Sequence, residues 1–420
     1  MSLGQKDKVL IICYSFPPHP GIGGRRWAKF SKTLSAKGYE IFIVGASNFS
    51  NSTSFWSKDV EKEKIKIKTF EFKFQKIIKY PKSVLEKFVR KIVLSVINIT
   101  KYNADIITSL PNKNVWNGIS DLIEKEKIKK VIVSGDPYLF YYASKLKKKL
   151  DFELTLDYRD LWNDHTFYDT KVKLSARQKQ YFELAENFAV NNCDKIIFVD
   201  EYIKSVVEKR ITSKTVSTFV IHNGFDKDDL AAGVNEKTQN EVINVFFAGS
   251  ISSDLNAALI EFVSAFEKLS KIDSSLYNKF FISIFGEMDH ALVRKIAEFK
   301  LANLNIENKT LNIGEYYEQL KKIDIGLVIL SDEYKNSFVT KFTDYLFYEK
   351  YIAVLGFKGY FTEYVEKQNI GLGFDASDPV TFFKNLRDSY NNRKIISANE
   401  KEKFDLHVLT QKLIREVIEN

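Results

Sequence analysis

Lys341 and Asp344 stand three positions apart in the stretch Ser337 to Gly356, SFVTKFTDYLFYEKYIAVLG. Phe338, Phe342, Tyr345 and Leu346 repeat there at helical spacing, and Ile352 to Leu355 form an apolar run of strand length. The stretch therefore reads as a helix running into a buried strand. Residues three apart on a helix share a face. A helix start attracts anions through its free N–H groups and its dipole, and Lys341 adds a full positive charge there. A phosphate suits Lys341 and a sugar hydroxyl suits Asp344. A surface ion pair on an amphipathic helix is the plainer reading of the same letters.

Other stretches offer related chemistry. GIGGRRW, Gly21 to Trp27, is a glycine turn feeding a helix start. A dinucleotide fingerprint fails here: Arg26 stands where a glycine is needed, and Ala46 and Ser47 end the next strand in place of a carboxylate. What remains are glycines, Gly23 and Gly24 among them, that let backbone approach a ligand, with Arg25 and Arg26 able to hold a phosphate. A plain turn before a solvated basic helix also fits. SGDPY (Ser134 to Tyr138) and DYRDLWND (Asp157 to Asp164) each follow the carboxyl end of a strand. The second gathers Asp157, Arg159, Asp160 and Asp164 beside Trp162. Charges so placed seldom serve packing, because burying them without partners is costly. The structural alternative is an Arg–Asp network bracing its own loop. AGSIS (Ala248 to Ser252) is small enough to admit a diphosphate, and NIGE (Asn312 to Glu315) is a similar turn. Asp226-Lys227-Asp228 matches a DxD metal pattern, but it follows Asn-Gly and reads as the start of a turn or helix. The five histidines are scattered without ligand spacing, so no metal site is expected. Neither a Walker loop nor a serine nucleophile elbow is found.

The elements that must carry these residues follow from the alternation of apolar runs. Lys8 to Tyr14, Glu40 to Ala46, Val131 to Ser134, Leu154 to Asp157 and Lys195 to Val199 are candidate strands. Helical patterns lie between them, notably Arg25 to Lys37, with Trp27, Phe30 and Leu34 on one face, and Lys171 to Asn192. Strand, helix, strand at this spacing predicts a parallel sheet. FVIHNGFD, Phe219 to Asp226, looks like a seam, and a polar stretch to about Glu241 follows it. The alternation then restarts at Ile243 to Ala248, Phe280 to Phe285, Asp324 to Leu330 and Ile352 to Leu355. Two doubly wound halves result, and ligands in such sheets bind outside the carboxyl ends of the strands.

A chain of 420 residues fits two domains. Its 45% hydrophobic content, with 34 Phe and 21 Tyr, supplies a sizeable core. The formal charge of +9 favours an anionic partner such as a nucleotide, anionic lipid or nucleic acid. The basic residues are dispersed and no recognition motif appears, so nucleic acid is not expected. Cys13 and Cys193 lie beside apolar segments and read as inert core thiols. The apolar run near the N-terminus is too short for a signal peptide, and no window approaches a 20-residue apolar span. The expected place is the cytoplasm, at most peripheral to the inner face of the cell membrane. Lys82 to Tyr102 carries five basic residues against one acid, with a strong apolar face. It is either a core helix with a solvated rim or a surface helix lying on anionic lipid, and the stripe favours the core.

Taken in order, these pieces resemble the family 4 retaining glycosyltransferases of GT-B fold, in particular the bacterial branch that builds capsule, lipopolysaccharide and other surface polysaccharides. FPPHPGIGGRRWAKFSKTLSAKGYEIFIVGA is similar to that branch's opening loop, helix and second strand. SGDPY and DYRDLWND resemble its paired Ser-x-x-Pro and Asp-Phe-Arg-Asp-Pro-Trp segments. IHNGFD resembles the sequence that opens its second domain, and TKFTDYLFYEKYIAVLG its donor helix. The resemblance implies two Rossmann-like doubly wound domains facing a central cleft. Residues 1–222 would form the acceptor domain and 223–403 the nucleotide-sugar donor domain, with a C-terminal helix, 404–420, returning to the first.

The activity it implies is transfer of a hexose-like sugar from a nucleotide sugar to a hydroxyl of a growing, lipid-linked surface glycan, with retention and without metal or other cofactor. Carried over, Gly249 and Ser250 would face the diphosphate or transferred sugar. Gly314 would lie under the base, Lys341 on phosphate, and Asp344 on the ribose hydroxyls. Asp160 or Asp136 would orient the acceptor hydroxyl, with Arg159 on the phosphate side, and Gly23, Gly24 and Arg25 would add donor contacts. Two departures stand out. Many members place two glutamates eight apart where this chain has Asn336 and Asp344, and many carry an arginine where SISSDLNA has none. The alternatives are a non-catalytic protein binding a sugar nucleotide or glycan, and a nucleotide-sugar 2-epimerase.

Overall fold

The computed structural model describes residues 7–19, 22–50, 52–62, 64–99, 108, 110–163, 174–230, 241–393 and 396–420. Gly21, Asp164, Lys171 and the end of the basic segment at Tyr102 lie outside the described residues. The chain divides into two compact units, Met1–His222 with Leu406–Asn420, and Asn223–Asp405.

The first unit is built on a seven-stranded sheet. Its strands are β1 (Lys8–Cys13), β2 (Glu40–Ala46), β3 (Ile65–Phe70), β4 (Lys130–Ser134), β5 (Glu153–Tyr158), β6 (Lys195–Phe198) and β7 (Ser217–Val220). They lie in the order β3-β2-β1-β4-β5-β6-β7, every pair parallel. The five inner strands β2, β1, β4, β5 and β6 are almost wholly buried, as expected of parallel strands covered on both faces. Edge strand β3 is different: IKIKTF exposes Lys66 and Lys68, and lysine on an edge discourages pairing with another chain.

Four helices of this unit matter below. α1 (Arg25–Ala36) buries Trp27, Phe30 and Leu34, the face its spacing predicts. α2 (Val84–Ile99) lies in the basic segment. α3 (Pro137–Lys147) follows β4. α4 (Ala176–Val190) starts where Ser175 and Gln178 form a capping box.

The second unit has a six-stranded sheet: β8 (Ile243–Ala248), β9 (Phe280–Phe285), β10 (Leu304–Glu307), β11 (Ile325–Leu330), β12 (Tyr351–Gly356) and β13 (Gly371–Gly373). The order is β10-β9-β8-β11-β12-β13, again all parallel. α5 (Ile313–Lys322) precedes β11, and α6 (Thr340–Phe347) joins β11 to β12. Phe404, expected to open the returning helix, instead packs in this unit against Phe338 and Phe342 at 5.3 and 5.1 Å between centroids. The return begins two residues later with α7 (Leu406–Leu413). It is anchored on the first unit by Lys195 Nζ, which donates to the Val417 carbonyl at 2.7 Å, and by the Tyr39 hydroxyl on Glu419.

Strand order reverses between β1 and β4 in one sheet and between β8 and β11 in the other. The loops leaving neighbouring strands diverge at such a point and open a crevice at their carboxyl ends. α6 is set over the second of these by Tyr345. Its hydroxyl donates to the carbonyls of Leu327 on β11 at 3.2 Å and Phe246 on β8 at 3.4 Å. Its ring lies where a β-carbon on Gly326 would stand, 2.5 Å away. Lys341, one turn earlier, takes its position from that contact. Gly326→Ala should therefore destabilise the second unit by about 1–3 kcal/mol, the usual cost of overpacking. An unchanged urea midpoint would show that Tyr345 is not the element that seats α6.

Candidate functional site

In the second unit the crevice brings Gly249 and Lys341 together. Gly249 follows β8 with φ +153°, and its N–H donates to the Phe285 carbonyl at 2.9 Å. A β-carbon at Gly249 would lie 2.6 Å from Lys341 Nζ and 2.8 Å from Cε. The ammonium thus rests directly on a backbone only glycine provides. It also sits 4.8 Å from the centroid of the Phe247 ring.

The charge on Lys341 is poorly compensated. It belongs to the first turn of α6, which starts at Val339 with no side-chain cap and no acidic residue. No carboxylate lies within ion-pair distance of it among the described residues. A cation at a helix N-terminus opposes the dipole, and burial disfavours the charged form. Desolvation accordingly pulls the Lys341 pKa below its ordinary value, with Asp344 only partly restoring it. An anion placed here would relieve all three penalties.

The other expected donor residues surround this point unevenly. Ser250 is exposed beside Gly249. Gly314 is the second residue of α5, whose start is closed by a capping box between Asn312 and Glu315, at 2.9 and 2.8 Å. Asp344 is buried, and its Oδ2 accepts a hydrogen bond from the Tyr316 hydroxyl at 3.3 Å. Asn336 Oδ1 accepts the Tyr360 N–H at 3.0 Å, so this side chain holds the start of the 360–367 helix. Sequence reasoning missed Gly286, which follows β9 as Gly249 follows β8. A β-carbon there would lie 1.9 Å from the Gly249 carbonyl oxygen, so the two turns are packed backbone to backbone. The signal was present in the letters, a glycine closing the strand FFISIF.

In the first unit the strand ends are aligned by register, Cys13 beside Ser134 and Ser134 beside Asp157. Asp157 is fully buried and collects four donors. Arg26 contributes Nε at 3.2 Å and Nη2 at 3.1 Å, Trp27 Nε1 lies at 2.7 Å, and Ser134 Oγ at 2.7 Å. Arg26 is finished by the carbonyls of Ile221 and His222, both at 2.8 Å. Two expectations are corrected here. Arg26 is occupied by Asp157 and the two carbonyls and does not offer itself to a phosphate. The helix start is not solvated either: Arg25 is buried with its guanidinium 5.1 Å from the Trp56 ring centroid, and Lys29 pairs with Asp59 at 2.8 Å beneath it.

The three candidate catalytic groups separate clearly. Asp136 is the N-cap of α3, accepting from the N–H groups of Tyr138 at 2.8 Å and Leu139 at 3.2 Å. Arg159 donates to the Gly23 carbonyl through Nη1, and its Nε is buried without a partner among the described residues. This joins the DYRD loop to the Gly23–Gly24 turn. Asp160 is half-buried and makes no side-chain hydrogen bond or ion pair with the described residues. Cys13 and Cys193 are buried and unpaired, and burial pushes the Cys13 thiol up to about 11, far from nucleophilic use at neutral pH. Asp226 caps the turn that follows it, through its Oδ1 and the Asp228 N–H at 3.1 Å.

No family model matches the chain, and no curated protein matches it. Solved structures do. Sucrose-phosphate synthase from Thermosynechococcus elongatus aligns with a TM-score of 0.65 at 12% identity, over 99% of both chains. The E. coli trehalose-6-phosphate protein bound with UDP-2-fluoro glucose aligns at 0.63 and 13% identity, over 98% of both. A UDP-N-acetylglucosamine 2-epimerase from Listeria monocytogenes aligns at 0.57 and 12% identity, over 98% of this chain and 96% of that one. The architecture is that of the GT-B fold, the one the sequence resemblance implies.

The Asp157 cluster gives a direct test of bracing. Arg26→Ala leaves a fully buried carboxylate without its cation, a change that costs about 3–5 kcal/mol. The first unit should unfold at markedly lower urea. A midpoint close to wild type would mean that Trp27 and Ser134 suffice for Asp157.

Proposed function

We propose that the protein is a glycosyltransferase that moves a sugar, with retention, from a nucleotide-sugar donor to a hydroxyl of a growing lipid-linked surface glycan in the cytoplasm. The observation that carries this reading is Lys341: a desolvated, poorly compensated ammonium on a glycine turn, at an uncapped helix start, in the crevice of a doubly wound sheet. Those features together suit a diphosphate. In this reading Gly249 and Ser250 meet the diphosphate or transferred sugar, Gly314 the base and Asp344 the ribose, while Gly23, Gly24 and Arg25 are further donor contacts. The charge that develops on the departing diphosphate is met by Lys341 and the α6 N–H groups, so the reaction is written without a metal.

Retention requires the acceptor oxygen to approach on the face the diphosphate leaves. A carboxylate accepting the hydroxyl's hydrogen bond can hold it there, and a guanidinium nearby offsets the crowding of negative charge. Asp160, with Arg159 as its neighbour, fits that role. Asp136 is engaged as a helix cap and Asp157 is saturated, so among the described carboxylates of these two loops Asp160 is the one left for a substrate.

A second reading has its own observation. Asn336, where many family 4 members place a glutamate, spends its side chain on the Tyr360 N–H. This suits a protein that binds a sugar nucleotide without transferring the sugar. A thermal-shift panel of nucleotide sugars, followed by assays of donor hydrolysis and transfer, decides. Stabilisation with turnover supports the transferase. Stabilisation without it supports the binding protein, and no stabilisation by any nucleoside diphosphate sugar removes both.

Two variants test the roles. Lys341→Ala should weaken nucleoside-diphosphate binding by about 1.5–3 kcal/mol, the range for a charged hydrogen bond, while the ligand-free melting temperature holds. In wild type the affinity should fall as pH rises through the Lys341 pKa. Because burial lowers that pKa, the fall should begin below the pH an ordinary lysine would set. Unchanged calorimetric affinity in the variant would remove Lys341 from the donor site. Asp160→Asn should lower turnover by roughly a hundredfold or more, with donor affinity and melting temperature close to wild type. Normal turnover in that variant would disqualify Asp160.

A further inference from the structure

We propose that α2 is an interfacial helix that lays the first unit on an anionic membrane surface. The sequence pattern favours a core helix, and the structure overturns that reading. Val84, Leu85, Phe88, Ile92 and Val96 are exposed, at 84, 71, 60, 48 and 56%. Among the described residues sixteen large hydrophobic side chains are exposed, and these five fall within thirteen consecutive positions while the others are scattered. Val84, Phe88, Ile92 and Val96 follow one another at intervals of four, so they form a row along one side of the helix.

The charges around the row choose its partner. Lys87 and Lys91, also four apart, run beside it and are exposed. From Phe72 to Ile99 the chain holds seven basic residues and one acidic, Glu86. Glu86 is turned back onto the helix start, where its Oε2 accepts the N–H groups of Lys82 at 2.6 Å and Ser83 at 2.9 Å. Those bonds hold its pKa below the usual carboxylate value. The opposite side of α2 is tied down, with Arg90 Nε donating to the Ile78 carbonyl at 2.9 Å in the short helix that also carries Lys76 and Lys79. The row therefore faces outward from a capped and anchored helix. No helix of the described residues is long and apolar enough to cross a membrane, so the helix would lie in the surface, apolar row down and lysines at the headgroups. A second copy of the chain is a poor occupant, because it would press one lysine-rich rim against another.

This inference goes beyond the transferase reading and does not rest on the donor site, so either can fail alone. The full chain should sediment with vesicles containing phosphatidylglycerol, remain in solution with pure phosphatidylcholine, and be released by salt. Phe88→Ser combined with Ile92→Ser, both at exposed positions, should reduce partitioning at least about tenfold at an unchanged melting temperature. Sedimentation that the double variant leaves intact overturns the proposal, as does a wild-type chain that stays in solution with anionic vesicles at low salt. So does a concentration-dependent dimer that the variant abolishes.

Discussion

The first unit depends on one buried carboxylate. Asp157 stands at the carboxyl end of β5 with no solvent contact, and four donors from two separate segments are directed at it. A buried charge is tolerable only when it is paired and hydrogen-bonded, and Asp157 meets both conditions. The pairing fixes α1 against the sheet through Arg26 and Trp27, and β4 against β5 through Ser134. Arg26 then carries the network on to the carbonyls of Ile221 and His222, where the unit's last strand leaves the sheet. With the α1 start locked in this way, the turn at Gly23 and Gly24 has a defined place. Arg159 reaches that turn from the far side of the same loop.

The second unit poses the opposite electrostatic problem. Asp344 is buried and accepts a hydrogen bond from a tyrosine hydroxyl, while the desolvated Lys341 ammonium has no carboxylate within ion-pair distance among the described residues. A fold selected for stability alone has no use for a desolvated ammonium at the positive end of a helix. The proposed donor role would give that cost a use. The surrounding backbone is shaped to keep it: Gly249 and Gly286 leave no side chain between the β8 and β9 turns, and Tyr345 holds α6 over β8 and β11. One unit thus has its buried charge fully compensated, and the other keeps its charge available.

What could be read in the letters follows from the same physics. Inner strands such as KVLIIC announce themselves because parallel strands are covered on both faces. The edge strands β3, β10 and β13 do not: β3 is mostly exposed and its run IKIKTF carries lysine where an inner strand carries valine, β10 is half-buried, and β13 is only three residues long. Lys341 and Gly249 were each legible as phosphate-friendly, from a helix start and a strand-ending glycine. The network around Asp157 was legible only as a local possibility. Its main partner, Arg26, is 131 positions away, and no local pattern connects them. For α2 the period was read correctly, but of the two meanings it allowed the favoured one, a core helix, is excluded by the exposed row. A hydrophobic period records that one side of a helix avoids water, and it is silent about whether protein or lipid covers that side.

The departure at Asn336 acquires a physical meaning from the structure. Were a glutamate to stand there, its longer side chain and charge would have to share the space in which Asn336 Oδ1 now meets the Tyr360 N–H, with Gly359 close enough that a β-carbon would lie 2.7 Å from that oxygen. The asparagine fits because it is short and neutral. Having closed the start of the 360–367 helix, it has no carboxylate to give a donor sugar. Nor does the SISSDLNA loop supply an arginine. Under the proposed function, recognition of an anionic donor within this unit would therefore fall to Lys341 and the N–H groups at the α6 start. A single ammonium whose pKa is held down by burial binds an anion more sensitively to pH than an arginine would, since a guanidinium keeps its proton throughout the accessible range. On that reading the substitution pattern would make donor binding depend on a single titratable group.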